Sequence, residues 1–383
     1  MTSSTTWPEW NEMALLDLVT IKSGQVDPRA PVYRNLPLIA PDHLASQTGR
    51  LLKKASAAAQ GAISGKYLVK PGDVIYSKIR PYLQKAYKCD FDALCSADMY
   101  PLTLRPGVDA SFVLHSILGR DFTNFATSVS ARSGIPKINR AELSEYRLAV
   151  PPSYEQRAIG RALDDVNDLI TTLERMIAKK EAIKQGMMQQ LLTGRIRLPG
   201  FSLPWQPRRL SEMLSYEQPG RYLVQTSKQL DTGRVPVLTA GKTFILGYTN
   251  EIHGIYTAHP VIIFDDFTTA SKYVDFDFKA KSSAMKILSA RIGVNLRFVY
   301  ERMQLIDFPL GDHKRYWISE YSKQEILVPN EPEQAAIAEV VSDSEAEITA
   351  LRERLSKARA MKQGMMQQLL TGRTRLPLQE VAS

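Results

Sequence analysis

Four stretches of the chain combine basic side chains with aromatic or hydroxyl side chains, a mixture suited to nucleic acid. They lie at 78–82, 132–137, 268–273 and 313–317. Lysine and arginine can neutralise phosphates, and side-chain donors can hydrogen-bond the edges of bases. The candidate contact residues are Lys78, Arg80, Tyr82, Arg132, Lys137, Thr269, Lys272, Tyr273, Lys314, Arg315 and Tyr316.

A second set of residues has the spacing of a metal-dependent nuclease. Asp266 is followed by Asp277 and Lys279, and two carboxylates with a lysine can hold a metal ion and orient water. The first half of the chain has no equivalent set. The segment 61–66 is one residue too short for a phosphate-binding loop, and Tyr67 replaces the hydroxyl residue that such a loop needs. We therefore expect no catalytic residue and no metal site, with the nuclease as an alternative hypothesis.

Length and composition bound the class of protein. With 383 residues, of which 44% are hydrophobic, the chain is expected to form two domains. The formal net charge of +9 fits a polyanionic partner. No apolar run approaches the length of a membrane span and the chain begins without a signal peptide, so we expect a cytoplasmic protein. Cys89 and Cys95 are expected to be reduced, buried thiols.

The sequence contains a long internal repeat. Residues 184–195 and 362–373 both read KQGMMQQLLTGR, and the flanking residues keep the same register 178 positions apart. The segments before each copy share far less, although Trp10 and Trp205 open them with a similar phrase. The chain is therefore predicted to consist of a variable domain (1–149), a constant spacer (150–199), a second variable domain (200–327) and a second spacer (328–383).

Both spacers have the pattern of a long helix. Apolar residues alternate at spacings of four and three, which is typical of a coiled-coil seam. The seam positions are Ile159, Leu163, Val166, Ile170, Leu173, Ile177, Lys180, Lys184, Met187 and Leu191, and then Ile337, Val341, Ser344, Ile348, Leu351, Leu355, Ala358, Lys362, Met365 and Leu369. Gly194 and Gly372 are predicted to end helices of about 38 residues, roughly 57 Å long. Because a domain intervenes, we expect the two helices to pack antiparallel; the alternative is that each seam packs on its own domain.

The repeated Gly-Met-Met-Gln element is a candidate protein-binding surface. Glycine inside a helix costs about 1 kcal/mol, so close approach of a partner backbone is one explanation, and methionines suit adaptable contacts. A kink or a tight helix crossing is the other explanation. The candidate partner-binding residues are Gly186, Met187, Met188, Gln189, Gly364, Met365, Met366 and Gln367.

Outside the spacers the pattern is mixed. Residues 66–78 predict a strand, a Pro-Gly-Asp turn and a second strand, and residues 99–104 and 260–264 predict further strands. Residues 110–124 and 292–302 predict helices. The fold class is therefore α+β, with two mixed α/β domains alternating with two long paired helices in a pseudo-twofold repeat.

The repeated phrase KQGMMQQLLTGR-x-RLP resembles the conserved regions of type I restriction-modification specificity subunits, as does the V-P-x-x-x-x-E-Q-x-x-I start of each helix. In the first domain, KPGDVIYSKIRPY (70–82) and GIPKINRAEL (134–143) resemble target-recognition domains of that family. The second domain matches less well, because residues 313–321 lack the Gly-Ile-Pro phrase. The resemblance covers essentially the whole chain.

This resemblance implies a division of labour. Each target-recognition domain would enter the major groove at one half of a bipartite, asymmetric double-stranded DNA site, and the helix pair would fix the spacer between the halves. Two modification subunits, which bind S-adenosylmethionine and methylate adenine, would dock on the helices. Restriction subunits, which use ATP and Mg²⁺, would join outside them. This chain would hold no cofactor itself. Besides the nuclease, a coiled-coil adaptor that touches no DNA stays an alternative.

Overall fold

The structure, a computed structural model, describes residues 9–130, 134–226, 228–239, 241, 243–310 and 315–376. It divides into two compact units. Unit 1 comprises residues 1–175 and 352–383, and unit 2 comprises residues 176–351. Each unit contains one sheet-rich domain and part of each long helix.

Unit 1 begins with the first sheet-rich domain, which ends where the first long helix starts. Its strands are β1 (Asn11–Ala14), β2 (Val19–Ile21), β3 (Leu38–Ile39), β4 (Tyr67–Val69), β5 (Val74–Ser77), β6 (Ala86–Lys88), β7 (Ala93–Cys95), β8 (Met99–Leu104) and β9 (Arg147–Val150). Its helices are α1 (Leu15–Leu18), α2 (Ala110–Ile117), α3 (Arg120–Val129) and α4 (Arg140–Ser144), and the first long helix is α5 (Ser153–Leu191).

Unit 2 contains the second sheet-rich domain. Its strands are β10 (Gln206–Arg209), β11 (Leu214–Glu217), β12 (Val235–Leu238), β13 (Ile245–Thr249), β14 (Val261–Asp265), β15 (Ser271–Val274), β16 (Lys279–Ala280), β17 (Met285–Ala290) and β18 (Glu325–Val328). Its helices are α6 (Leu210–Met213) and α7 (Leu296–Met303), and the second long helix is α8 (Glu331–Leu369).

The two domains have the same strand order in their four-stranded and two-stranded sheets, whereas their three-stranded sheets differ in which strand is central. In the first domain, a four-stranded sheet of order β2-β8-β5-β6 accompanies a three-stranded sheet, β3-β7-β4, and a two-stranded sheet, β1-β9. The second domain has β11-β17-β14-β15, β13-β12-β16 and β10-β18. In each domain the two-stranded sheet pairs the first strand with the last strand, immediately before the long helix. The α+β class and the internal repeat are therefore confirmed.

Most of the predicted short elements are present, and two are corrected. The strands at 66–78, 99–104 and 260–264 correspond to β4, β5, β8 and β14, although β4 and β5 belong to different sheets. The helix expected over 110–124 is wrong: the chain forms α2 and α3 with a break at Gly119, whose backbone is extended. A side-chain Cβ at 119 would lie 2.9 Å from the carbonyl oxygen of Ser116, so the break requires glycine.

The second correction concerns the helix expected from residue 292. Helix α7 starts at Leu296, because the Asn295 side chain accepts a hydrogen bond from the backbone N–H of Phe298 at 3.0 Å. Elsewhere the expectation holds: Cys89 and Cys95 are buried free thiols in the first domain.

The long helices match their prediction closely. Each has 39 residues, which corresponds to roughly 58 Å. Gly194 and Gly372 follow the helix ends at a φ of +70°, a left-handed conformation that favours glycine. The apolar seam residues are mostly buried, for example Leu163 at 0% and Val341 at 1% exposure.

The helices pack antiparallel, as expected. In unit 1, Glu174 of α5 accepts a hydrogen bond from Arg359, in the C-terminal part of α8, at 2.8 Å. In unit 2, Lys180 of α5 pairs with Glu347, in the N-terminal part of α8, at 2.8 Å. The ends of the seams also join the cores of the domains, where Ile159 and Leu369 pack in the first domain and Leu191 and Ile337 pack in the second. The alternative, in which each seam packs on its own domain, is therefore correct only for the ends of the two seams.

Candidate nucleic-acid interface

The two basic stretches of the first domain lie side by side. Ile79 and Lys137 form an isolated antiparallel bridge. The backbone N–H of Arg80 donates to the carbonyl oxygen of Pro136 at 2.8 Å, and the N–H of Ile138 donates to that of Lys78 at 3.0 Å. The sequence indicates the two stretches separately, and the fold joins these segments, almost sixty residues apart, into one surface.

Four basic residues define this surface, which we call the basic cluster: Lys78, Arg80, Lys137 and Arg140. The ammonium group of Lys78 lies 5.3 Å from the centre of the Tyr100 ring, and the guanidinium of Arg140 lies 5.9 Å from it. Partial burial, followed by the positive charge of Lys137, lowers the pKa of Lys78. The positive charges of these side chains therefore lie close together, and binding of a polyanion would relieve their mutual repulsion.

The end of the basic cluster is open to solvent. Arg80 is exposed and has a φ of +49°, and it precedes a short 3₁₀ turn, Pro81–Leu83, on which the Tyr82 ring is 49% exposed. Lys137 is exposed as well. Gly134 has a φ of +104°, which the Gly-Ile-Pro phrase needs in order to turn toward β5. Arg132, the remaining candidate of this domain, lies outside the described residues.

The second domain has different chemistry at the equivalent place. Strand β14 ends at Asp265. The backbone N–H of Tyr316 donates to the carbonyl oxygen of Asp266 at 2.9 Å, and this hydrogen bond is equivalent to the one from Ile138 to Lys78 in the first domain. Lys286 occupies the strand position of Tyr100, because Phe264 pairs with Lys286 as Tyr76 pairs with Tyr100. An acidic residue thus takes the place of Lys78.

Asp266 and Lys286 neutralise each other inside the second domain. Their side chains are both 1% exposed, and Lys286 Nζ lies 3.1 Å from Asp266 Oδ2. Asp266 Oδ1 also accepts the backbone N–H of Trp317 at 2.8 Å. The basic cluster is therefore not repeated at this place in the second domain.

The candidates of the second domain fall into two groups. Lys272 and Arg315 are exposed, and Thr269 lies in the β14–β15 turn with a φ of +58°. Tyr273 is half-buried, with the Arg297 guanidinium 5.0 Å from its ring centre. Lys314 lies outside the described residues.

Tyr316 is a correction. Its side chain is 1% exposed and packs edge-to-face on Phe308, with ring centres 5.4 Å apart. It is part of an aromatic core that includes Phe264, Trp317 and Tyr321. The ring is therefore not available to stack on a base, whereas the neighbouring Arg315 is exposed.

The residues of the nuclease hypothesis do not form a site. Asp266 pairs with Lys286, Asp277 pairs with His259 at 3.2 Å, and Lys279 binds Glu251 at 2.7 Å. The hydrogen bond from Lys279 is the main reason that the pKa of Glu251 falls to about 2. Within the described ranges, no group of three histidine, cysteine or carboxylate side chains is placed to hold a metal ion. The structure gives this hypothesis no support.

The repeated segments at the starts and ends of the long helices form two matching ion pairs, which we call clasps and which the sequence did not predict. In unit 1, Arg375 after α8 binds Glu155 at the start of α5 through both carboxylate oxygens, with Nη2 to Oε2 at 2.6 Å. In unit 2, Arg197 after α5 binds Glu333 at the start of α8 at 2.5 and 2.6 Å. The repetition of the Glu-Gln and Arg-Leu-Pro phrases was the only sequence signal.

The neighbouring glutamines repeat their contacts too. Gln156 accepts the N–H of Asp109 at 3.0 Å and donates to the carbonyl oxygen of Pro151 at 2.9 Å. Gln334 does the same with Asn295 and Pro329, at the same two distances. Each domain is therefore attached to its long helix by the same hydrogen-bond geometry.

The candidate partner-binding elements are exposed in part. An added Cβ at Gly186 or Gly364 would meet no described atom within 4 Å, so no tight helix crossing within the described chain explains these glycines. Gln189 and Gln367 are exposed. The methionines Met187, Met188, Met365 and Met366 are half-buried against the cores of the domains. The glycine and glutamine positions thus lie on the exposed face of each helix, and the neighbouring methionines pack against the domain cores.

The chain resembles several known proteins. A family model described as the type I restriction modification DNA specificity domain matches residues 8–185. The EcoR124I/EcoR124II type I restriction enzyme specificity subunit of Escherichia coli is 56% identical over 138 residues, which cover 34% of this chain and 34% of that protein. The EcoDI specificity subunit of Escherichia coli is 34% identical over 165 residues, covering 43% and 37%. The aligned segments thus span about a third of the length of these relatives.

Solved structures share the fold over nearly the whole chain. The HsdS subunit from Thermoanaerobacter tengcongensis has a TM-score of 0.51 at 16% identity, with 98% of this chain and 100% of that chain covered. The type I restriction-modification S subunit from M. genitalium has a TM-score of 0.66 at 13% identity, with 97% and 98% covered. In the part of the chain that the structure describes, no helix is long and apolar enough to span a membrane. Residues 8–185 thus match the type I restriction modification DNA specificity domain, and the whole chain shares the repeated domain-and-helix fold of the solved S subunits.

Proposed function

We propose that this chain supplies the DNA sequence specificity of a type I restriction-modification complex, with each sheet-rich domain reading one half of a bipartite, asymmetric site. The observation that carries the proposal is the basic cluster, in which two distant segments bring Lys78, Arg80, Lys137 and Arg140 onto one surface. Such a surface suits a duplex, since it can hold phosphates and offer donors to base edges.

In the first domain the candidate contacts have distinct roles. Lys137 and Arg80 are exposed and can reach base edges or phosphates, whereas Lys78 is held against Tyr100 and adds positive potential from below. The exposed Tyr82 ring offers an apolar and hydrogen-bonding surface beside them. Arg132 belongs to the same stretch of sequence.

In the second domain, Thr269, Lys272, Lys314 and Arg315 are the proposed contacts. The buried pair of Asp266 and Lys286 stands where the first domain has Lys78 and Tyr100. Two domains with the same fold and different side chains at the same place are expected to prefer different sequences. This difference supports a site with two unlike halves.

The helix pair is proposed to set the spacer and to bind the modification subunits. The exposed glycine and glutamine positions occur twice, once on each long helix, which suits two copies of one partner. Those subunits would bind S-adenosylmethionine and methylate adenine, and restriction subunits would use ATP and Mg²⁺. The chain itself would act as a non-catalytic scaffold without a cofactor.

Mapping of adenine methylation tests this function. Cells that express the chain with an active modification subunit should methylate a motif of two unlike half-sites around a spacer of fixed length and unread sequence. Methylation at one short contiguous motif would contradict the two-domain proposal. An active modification subunit that methylates nothing in the presence of this chain would contradict the role in DNA recognition altogether.

A further inference from the structure

Unit 1 contains a large polar cleft between the first sheet-rich domain and the long helices. Its volume is about 1330 Å³. Six basic side chains line it: Arg50, Arg120, Arg147, Arg359, Lys362 and Arg373. Three acidic side chains also line it, and one of these, Glu174, already binds Arg50 at 2.6 Å and Arg359 at 2.8 Å. The cleft therefore has an excess of positive charge.

Lys362 is the most buried of these cations. Its side chain is 7% exposed, and Nζ donates to the carbonyl oxygen of Gln47 at 3.2 Å. Among the described residues, no carboxylate lies within ion-pair distance of Nζ. The carboxylate that acts on it from further away, Asp164, accepts hydrogen bonds from Lys88 at 2.8 Å and Ser111 at 2.5 Å. Asp164 also contacts Nε2 of His115 at 2.9 Å, so its oxygens are occupied.

Burial without a carboxylate partner disfavours the charged form of Lys362. Its pKa falls to about 8, chiefly because of desolvation, which the charge of Asp164 offsets only in part. A buried ammonium group is normally paired, because removing an unpaired charge from water is costly.

Comparison with the other copy of the repeat shows which ion-pair partner Lys362 lacks. Lys184 in unit 2 is equivalent to Lys362, and it forms an ion pair with Glu345, which also binds Arg297. The residue equivalent to Glu345 in unit 1 is Asn167, which lines the cleft beside Lys362. Unit 1 thus keeps the lysine and has a neutral amide in place of its carboxylate.

We propose that the cleft of unit 1 binds a carboxylate-bearing acidic peptide segment, with one carboxylate beside Lys362 at the place that Glu345 fills in unit 2. The volume exceeds the roughly 300–1,000 Å³ of ordinary small-molecule pockets, which favours a peptide over a small anion. The exposed Arg120, Arg147 and Arg373 extend the positive lining away from Lys362 and suit further acidic side chains. The site is independent of the proposed DNA-reading surface and uses none of its residues.

The test compares binding of fluorescent hexaglutamate to the full-length chain and to variants, with citrate and a DNA duplex as competitors. Asn167→Glu supplies the missing carboxylate internally, so it should raise the thermal unfolding midpoint and abolish peptide binding. Thr172→Glu is the matched control, because it adds the same charge to an exposed position of the same helix outside the cleft lining. It should bind hexaglutamate as the wild type does.

Lys362→Met is a second variant, which removes the cation and should also abolish binding. The proposal is overturned if hexaglutamate does not bind saturably, or if it binds Asn167→Glu and Lys362→Met as it binds the wild type. Binding of citrate without hexaglutamate would identify a small-anion site and reject the peptide. If Asn167→Glu lost binding of the DNA duplex together with binding of hexaglutamate, the cleft would be a binding site for DNA phosphates and the peptide proposal would be rejected. The methylation motif should be unchanged in Asn167→Glu and Lys362→Met, which distinguishes failure of the peptide proposal from failure of the proposed DNA function.

Discussion

Arg375 and Glu155, which are 220 residues apart in the sequence, form a two-pronged ion pair in which the carboxylate is 2% exposed. Trp10 donates a third hydrogen bond to the same carboxylate at 3.2 Å, and the Arg375 guanidinium lies 5.3 Å from the centre of the Trp10 ring. The segment after the second helix is thereby fixed to the start of the first helix. Arg197 and Glu333 repeat this contact in unit 2.

Loss of Arg375 should destabilise the chain strongly. Arg375→Met leaves a buried carboxylate without its cation, and breaking such a pair typically costs about 3–5 kcal/mol. Denaturant unfolding should therefore show a marked loss in Arg375→Met and a smaller loss in the double variant Arg375→Met with Glu155→Gln. Arg373, two residues earlier and exposed, is the matched control, and Arg373→Met should unfold like the wild type. Equal stability of Arg375→Met and Arg373→Met would show that the clasp contributes nothing.

The pair of Asp266 and Lys286 makes a similar prediction for the second domain. Both side chains are 1% exposed, so Lys286→Met should destabilise the chain by about 3 kcal/mol or more by leaving Asp266 uncompensated. Adding Asp266→Asn should restore part of the stability, which a double-mutant cycle by denaturant unfolding would measure. Additive effects of the two changes would mean that the ion pair does not couple the residues. At the equivalent place in the first domain, Tyr100→Phe should have a smaller effect, because the ring and its contact with Lys78 are kept.

Because the pKa of Lys362 is lowered in the folded chain, we expect the free energy of unfolding to rise at alkaline pH. Its folded-state pKa of about 8 lies below the ordinary value of 10.5, so the unfolded chain binds more protons between these two values. Stability therefore rises with pH in this window, by on the order of 3 kcal/mol in total, and the penalty is fully present below pH 8. The difference in unfolding free energy between Lys362→Met and the wild type, measured without added anions, should shrink from pH 7 to pH 10.5. A difference that stays constant across this range would contradict the assignment.

The long helices predict how the spacer responds to helix length. Removing residues 172–178 and 350–356 deletes seven residues from each helix, which keeps both seams in register and shortens each helix by about 10 Å. The methylated motif should keep both half-sites and have a shorter spacer, by about three base pairs at most. Mapping methylation with the shortened chain would check this. A changed half-site sequence with an unchanged spacer would show that the helices do not set the distance.

The parts of the fold that follow from local pattern were predictable from the sequence. The seam spacing and the glycines after each helix specify helix length and ends, since both signals lie within a few residues of what they determine. The break at Gly119 was not predictable from helical pattern alone. It depends on an extended glycine and on the close approach of the Ser116 carbonyl oxygen, both of which are three-dimensional facts.

The candidate site was predictable in composition and not in arrangement. The sequence picked out Lys78 and Lys137, but their adjacency comes from the bridge between Ile79 and Lys137. Tyr316 was misassigned because a run of basic and aromatic residues looks the same whether its aromatic members face solvent or the core. Arg140 and Tyr100 were missed because neither lies in the basic stretches at 78–82 and 132–137, and only the fold brings them beside Lys78.

The central claim is that each domain reads its own half-site, and comparison of methylation maps for Lys137→Ala and the wild type tests it most directly. Lys137 is exposed in the basic cluster of the first domain, and Lys272→Ala, on the exposed face of β15, is the matched variant in the second domain. We predict that Lys137→Ala relaxes or weakens recognition of one half-site only, and that Lys272→Ala affects the other half-site or neither. Equal loss at both half-sites in Lys137→Ala, or an unchanged map, would contradict the account.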